Sequence, residues 1–168
     1  PIGSGLMIQP TGLAVLRELG LEAAVLAQGA RIDRLNGMAS GRTILDVRYA
    51  ALGGKEGRFF GTGIHRGALF SILHEAARAA NIPIISDTPI AGSTLQPDGR
   101  RTLCAGNGEV HGPFDLVIDA LGTGSPLAPE SGRALAYGAL WASLEWPAGG
   151  AFDNAALQQR YQHASVMA

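Results

Sequence analysis

A chain of 168 residues with 46% hydrophobic side chains is long enough for one sizeable domain or two small ones, and apolar enough to build a core. Thirteen basic against fourteen acidic residues leave a net charge of −1, which provides no field for gathering nucleic-acid phosphates or anionic lipid. The single cysteine, Cys104, cannot close an internal disulfide, and no apolar run approaches the roughly 20 residues of a membrane span, so the expected setting is soluble, reducing and cytoplasmic.

The opening Pro1-Ile2-Gly3-Ser4-Gly5 reads as a mid-domain loop without the pattern of a leader, so the sequence is expected to be an internal piece of a longer fold. Leu13, Leu16 and Leu19 then recur at three-residue spacing, with Thr11 available as cap and Gly20 as terminator, which predicts a short amphipathic helix. A second short helix is predicted over residues 22–28. Leu45, Val47 and Tyr49 alternate with Asp46 and Arg48, the period-two pattern of a strand with one face buried. From Arg66 to Ala80 a stripe of Leu69, Phe70, Leu73, Ala76, Ala77 and Ala80 predicts the firmest helix, capped by Asn81. The β-favouring Ile82-Pro83-Ile84-Ile85 follows. Turn signals at Pro97-Asp98-Gly99 and Asn107-Gly108 predict a three-stranded antiparallel meander over 90–111, ended by Gly112-Pro113.

Phe114 to Ile118 is apolar apart from Asp115 and lacks alternation, as expected of a strand covered on both faces. Ala134 to Trp146 mixes aromatic and small residues with β-like character, and Pro147-Ala148-Gly149-Gly150 reads as a loop after it, so a second sheet is expected to begin there. The order of elements indicates an α/β fold. The compositional shift at 130–133 sets the expected domains at 1–132 and 133–168.

The 24 glycines follow no fixed period, and none of three glycine clusters satisfies Gly-x-Gly-x-x-Gly between a strand and a helix. Gly3-Ser4-Gly5 reads as a flexible loop. Gly61-Thr62-Gly63 is either a plain turn or a set of amides that holds a phosphate with Arg66 at the helix start. Gly122-Thr123-Gly124-Ser125 follows a strand, but Pro126 and Pro129 deny it an immediate helix, so its amides and Ser125 would act as an anion nest. His65, His74, His111 and His163 lack metal-ligand spacing, and Cys104 has no Cys-x-x-Cys partner, so no metal site is expected. Pro126 and Leu127 break the nucleophile-elbow order around Ser125. Trp141, Trp146, Tyr137 and Phe152 either line an aromatic-substrate pocket or pack the second sheet.

Two longer stretches carry a family resemblance. Gly5-Leu6-Met7-Ile8-Gln9-Pro10-Thr11-Gly12-Leu13, with Leu16 and Leu19-Gly20-Leu21, resembles the segment after the first βαβ unit of group A flavin monooxygenases. His65-Arg66-Gly67-Ala68-Leu69-Phe70-Ser71-Ile72-Leu73 resembles the His-Arg-x-x-Leu stretch that opens a helix in that family. The resemblance implies that Arg66 reaches an FAD cofactor and that the backbone at Ile90 meets its adenine. It also implies that Gly122 and Ser125 contact the pyrophosphate. Leu121 and Ala128 stand where the family has an aspartate and an arginine, which weakens the link to nicotinamide-driven reduction. Asp119, two positions early, compensates only if the strand register differs.

The implied fold is a partial FAD/NAD(P)-binding, Rossmann-like domain with an antiparallel meander and the start of a mixed substrate-domain sheet. It lacks the family's Gly-x-Gly-x-x-Gly unit and its later Gly-Asp element. The implied activity of a complete enzyme is hydroxylation of an aromatic or similar small organic substrate, using FAD, NADH or NADPH, and oxygen. No catalytic residue is singled out, and this chain alone is expected to bind FAD poorly and to be inactive. The alternatives are a non-catalytic remnant of the fold, stabilised as a homodimer, and a flavin reductase or dehydrogenase.

Overall fold

The computed structural model describes residues 4–53, 59–128, 135–136, 138–142, 144–145, 149–150, 152–163 and 166–167. In chain order the elements are β1 (Gly5–Ile8), α1 (Pro10–Glu18), α2 (Glu22–Gln28), β2 (Ala30–Ile32), β3 (Arg34–Ala39), β4 (Arg42–Arg48), a 3-10 turn (Tyr49–Leu52), β5 (Gly61–His65) and α3 (Arg66–Ala79). They continue with β6 (Ile90–Leu95), β7 (Arg101–Ala105), β8 (Val110–Phe114), β9 (Ala156–His163) and β10 (Val166–Met167). This is the α/β class expected.

Local chemistry accounts for the helices. Pro10 stands at the start of α1, where its fixed φ suits the first turn and its missing N–H costs nothing. Gln9 occupies the cap position without a side-chain bond, so Thr11, expected as the cap, lies inside the helix. Gly20 ends α1 at φ +72°, with the Gly20 N–H donating to Arg17 O at 3.0 Å and the Leu21 N–H to Leu16 O at 2.7 Å. Asn81 closes α3 in the same way at φ +55°, through Asn81 N–H to Arg78 O and Ile82 N–H to Ala77 O, both 3.0 Å.

The chain divides into two units, Pro1–Ile82 with Trp141–Ala168, and Pro83–Leu140. The boundary expected at 130–133 lies outside the described residues. The first unit holds two sheets. In one, β5 is central, antiparallel to β1 on one side and to β2 on the other. Ile8, Leu13, Leu16, Val25 and Ile64 form the core between that sheet and its helices. The other sheet has the order β10-β9-β3-β4 and is mixed, with β3 parallel to β9 and antiparallel to β4. A mixed sheet was expected after residue 133, but half of it comes from residues 34–48. The described residues between 135 and 145 form no strand.

The second unit contains the predicted meander, β6-β7-β8, with Gly99 and Gly108 at positive φ in its turns, but β8 runs through Gly112-Pro113, expected to end it, as far as Phe114. The strand predicted from Phe114 to Ile118 is absent beyond Phe114, which ends β8, and the β-favouring run at 82–85 forms none. Residues 82–85 and 115–118 are not paired into any sheet, and Ile85, Leu116 and Ile118 are 68%, 76% and 80% exposed. A strand of unbroken apolar character needs partners on both edges and cover on both faces, which the described residues do not supply. A third correction concerns Tyr49, which belongs to the 3-10 turn rather than to β4. It is buried, and its hydroxyl donates to Gln9 Oε1 at 2.5 Å.

Candidate functional site: a glycine-floored cleft before helix α3

Strand β5 reads Gly61-Thr62-Gly63-Ile64-His65, and strand geometry sends alternate residues to opposite faces. Thr62 and Ile64, with Leu6 and Ile8 beside them on β1, share the face that meets the helices. Gly5, Met7, Gly63 and His65 share the other, joined by Ala30 and Ile32 from β2. Because three of these positions carry a hydrogen or a methyl, that face is a flat floor. It opens into a cleft of about 590 Å³, walled by Met7, Ile32, Leu144 and Leu157, with His65 at its edge. Such a cavity is within the usual size for a small-molecule site.

The cleft ends where α3 begins. The Gly67 N–H donates to His65 Nδ1 at 3.1 Å, so the histidine is the cap of α3. The Arg66 backbone N–H donates to Ser4 O at 3.3 Å, which ties the helix start to the entry of β1. The Arg66 guanidinium is exposed and has no hydrogen bond or ion pair among the described residues. A cation left free beside an apolar cleft is suited to an anionic ligand group.

Gly61, Thr62 and Gly63, read from the sequence as a turn or a phosphate-holding loop, lie instead in the central strand of a sheet. The backbone there is committed to ladders on both sides, and only Arg66 of that expectation remains available. Thr62 is 1% exposed, and its hydroxyl has no hydrogen-bond partner among the described residues.

The other sequence-derived positions lie in the second unit. Ile90 is half-buried at the start of β6, opposite Ala105. Gly122 takes φ +82°, and Ser125 N–H donates to Gly122 O at 3.1 Å to close the turn. The Ser125 hydroxyl donates to Asp119 Oδ2 at 2.6 Å and accepts from the Leu127 N–H at 3.1 Å. The Leu121 N–H donates to Asp119 Oδ1 at 3.0 Å. These bonds, that from Ser125 foremost, hold the Asp119 carboxyl below its ordinary range. The turn is therefore organised around the Asp119 carboxylate.

Trp141 and Phe152 are exposed and do not line the cleft, while Tyr137 and Trp146 lie outside the described residues. No group of His, Cys, Asp and Glu among the described residues could hold a metal ion, and no described helix is long and apolar enough to cross a membrane. The cleft itself was missed in the sequence. Its signal was Gly63 before His65, a glycine inside a strand that leaves its face open, whereas Gly61 two residues earlier lies under Tyr49 and Met7.

No family model matches this sequence, and no curated protein matches it. Solved structures do. The tetrameric form of 2-methyl-3-hydroxypyridine-5-carboxylic acid oxygenase is similar over 76% of this chain and 31% of its own, with a TM-score of 0.61 and 21% identity. PqsL from Pseudomonas aeruginosa, described as "a probable FAD-dependent monooxygenase", is similar over 64% of this chain and 29% of its own, with a TM-score of 0.51 and 18% identity. The chain thus carries part of the fold of flavoprotein monooxygenases, and the family resemblance read from the sequence holds at the level of the fold. It spans about a third of the length of the solved chains it matches.

Proposed function

We infer that this chain is part of an FAD-dependent monooxygenase, and that the cleft over β1, β5 and β2 receives an aromatic or similar small organic substrate. The observation that carries this reading is a flat, apolar cleft ending beside an arginine unpaired among the described residues, within a fold shared with oxygenases. A planar ring matches the floor of Gly5, Ala30 and Gly63, with the apolar side chains of Met7, Ile32, Leu144 and Leu157 at its sides.

Each unit, taken by itself, carries residues suited to a part of FAD. Arg66 supplies a free cation for a phosphate. The Asp119–Ser125 turn, with Gly122 at positive φ, supplies a carboxylate for the hydroxyls of the dinucleotide, Ser125 acting through its bond to Asp119. Ile90 offers backbone to the adenine. When bound, FAD supplies the redox and oxygen chemistry, with NADH or NADPH as donor, while the chain's own residues bind, orient and desolvate.

The test is a flavin-fluorescence titration of the polypeptide encoded by the complete reading frame around these residues. Saturable binding is expected, weakened about tenfold or more by Arg66→Gln, in line with a charge-assisted hydrogen bond worth about 1.5–3 kcal/mol. Failure of that polypeptide to bind FAD, or equal binding by the variant, would remove the cofactor role from Arg66.

A further inference from the structure

Among the described residues that line the cleft, His65 is the one whose side chain carries a hydrogen-bond donor; the rest are glycine, alanine, leucine, isoleucine and methionine. Its protonation pattern is set by the fold. Because Nδ1 accepts the Gly67 N–H, it must present a lone pair there, and in the neutral ring the hydrogen then sits on Nε2. That Nε2–H has no partner among the described residues.

We propose that His65 is the specificity-determining residue of the cleft. Its Nε2–H donates to a hydrogen-bond acceptor, such as a carbonyl, phenolate or carboxylate oxygen, on an otherwise apolar planar ligand. The proposal rests on the reading of the cleft as a small-molecule site. It follows from contrast: a single fixed donor at the edge of an apolar floor discriminates by leaving ligands without an acceptor unrewarded, whereas shape alone separates ligands of like size only weakly.

The capping role and the donor role are separable by substitution. Asparagine is among the best residues at a helix cap, so His65→Asn keeps the closure of α3 while its shorter amide withdraws the donor from the cleft. His65→Ala removes both. The matched probes are acetophenone and α-methylstyrene, nearly the same in shape and differing in a carbonyl oxygen against a methylene.

Calorimetric or NMR titration, with each probe, of the polypeptide encoded by the complete reading frame around these residues is the experiment. That polypeptide is expected to prefer acetophenone about fivefold, the factor expected from one net hydrogen bond. In His65→Asn the preference falls to about one with the melting temperature retained, and in His65→Ala both fall. Histidine ¹⁵N shifts are expected to show the hydrogen on Nε2. Equal affinity of the polypeptide for the two probes, or a preference that survives His65→Asn, overturns the donor role while leaving the cleft as a binding site. If neither probe binds, the small-molecule reading of the cleft fails, and the role of His65 with it.

Discussion

A pair of glycine substitutions tests the geometry around β5 from both sides. Gly29 ends α2 in extended backbone that any residue adopts, so its requirement is space alone. A Cβ built there lies 2.3 Å from Thr62 Cγ2 and 3.1 Å from both Gly63 O and Val25 O. The two carbonyls are main chain and cannot swing away. Gly29→Ala therefore pushes α2 off the central strand, an overpacking cost of about 1–3 kcal/mol. In a chain of this length each kcal/mol corresponds to about 2–4 °C of melting temperature. Gly63 sits on the opposite face of the same strand, where a Cβ meets nothing nearer than Ala30 O at 3.8 Å and Ile32 Cδ1 at 3.9 Å. Gly63→Ala is expected to fit, and to stabilise by about 0.4–1 kcal/mol through the reduced freedom of the unfolded chain. Urea unfolding of both variants, followed by circular dichroism, measures the two effects. A neutral Gly29→Ala, or a Gly63→Ala that loses as much as its counterpart, would refute the assignment of one face of β5 to packing and the other to an open floor.

Thr62→Val removes a buried hydroxyl that has no partner among the described residues and keeps the side-chain shape, so a gain of about 1 kcal/mol in the same unfolding assay is expected. Stability is also expected to fall in acid. Hydrogen bonds from Arg17 to Glu22, from Arg34 to Asp46 and from Arg100 to Asp98 hold these carboxyls below their ordinary values. A depressed folded-state value means stability that is present above the ordinary carboxylate range and lost as the pH drops through the lowered one. The melting temperature should hold from pH 7 to 5 and decline below about 4, and Asp46→Asn should make that decline shallower.

What the sequence made legible was set by the range of the interactions involved. Helices α1 and α3 and the β6-β7-β8 meander close on neighbours a few residues away, through Gly20, Asn81, Gly99 and Gly108, so local chemistry specifies them. The runs at 82–85 and 114–118 read as strands because their composition suits a sheet interior. Yet composition states only what a segment needs, and beyond Phe114, which ends β8, the described residues provide no strand to pair with them. The mixed sheet failed to appear in the sequence for the opposite reason. Leu35, Gly37 and Ala39 on β3 pair with Leu157, Gln159 and Tyr161 on β9, at a separation over which no local pattern carries a signal.

The site divides along the same line. Arg66 was visible because a helix start is a local event and an arginine there opposes the helix dipole unless an anion accompanies it. The cleft was not, since its floor and walls come from β1, β2, β5, Leu144 and Leu157, and no two of those segments adjoin in the chain. Gly61 and Gly63 show how one pattern supports two structures. Two glycines before a helix suggest a phosphate loop, whereas in the strand they form Gly63 leaves the cleft floor open and Gly61 makes room for Tyr49 and Met7. Only the pairing of β5 with both β1 and β2 decides between them. That decision takes the amides away from a phosphate and provides a flat surface in their place, with Arg66 left as the cationic group beside it.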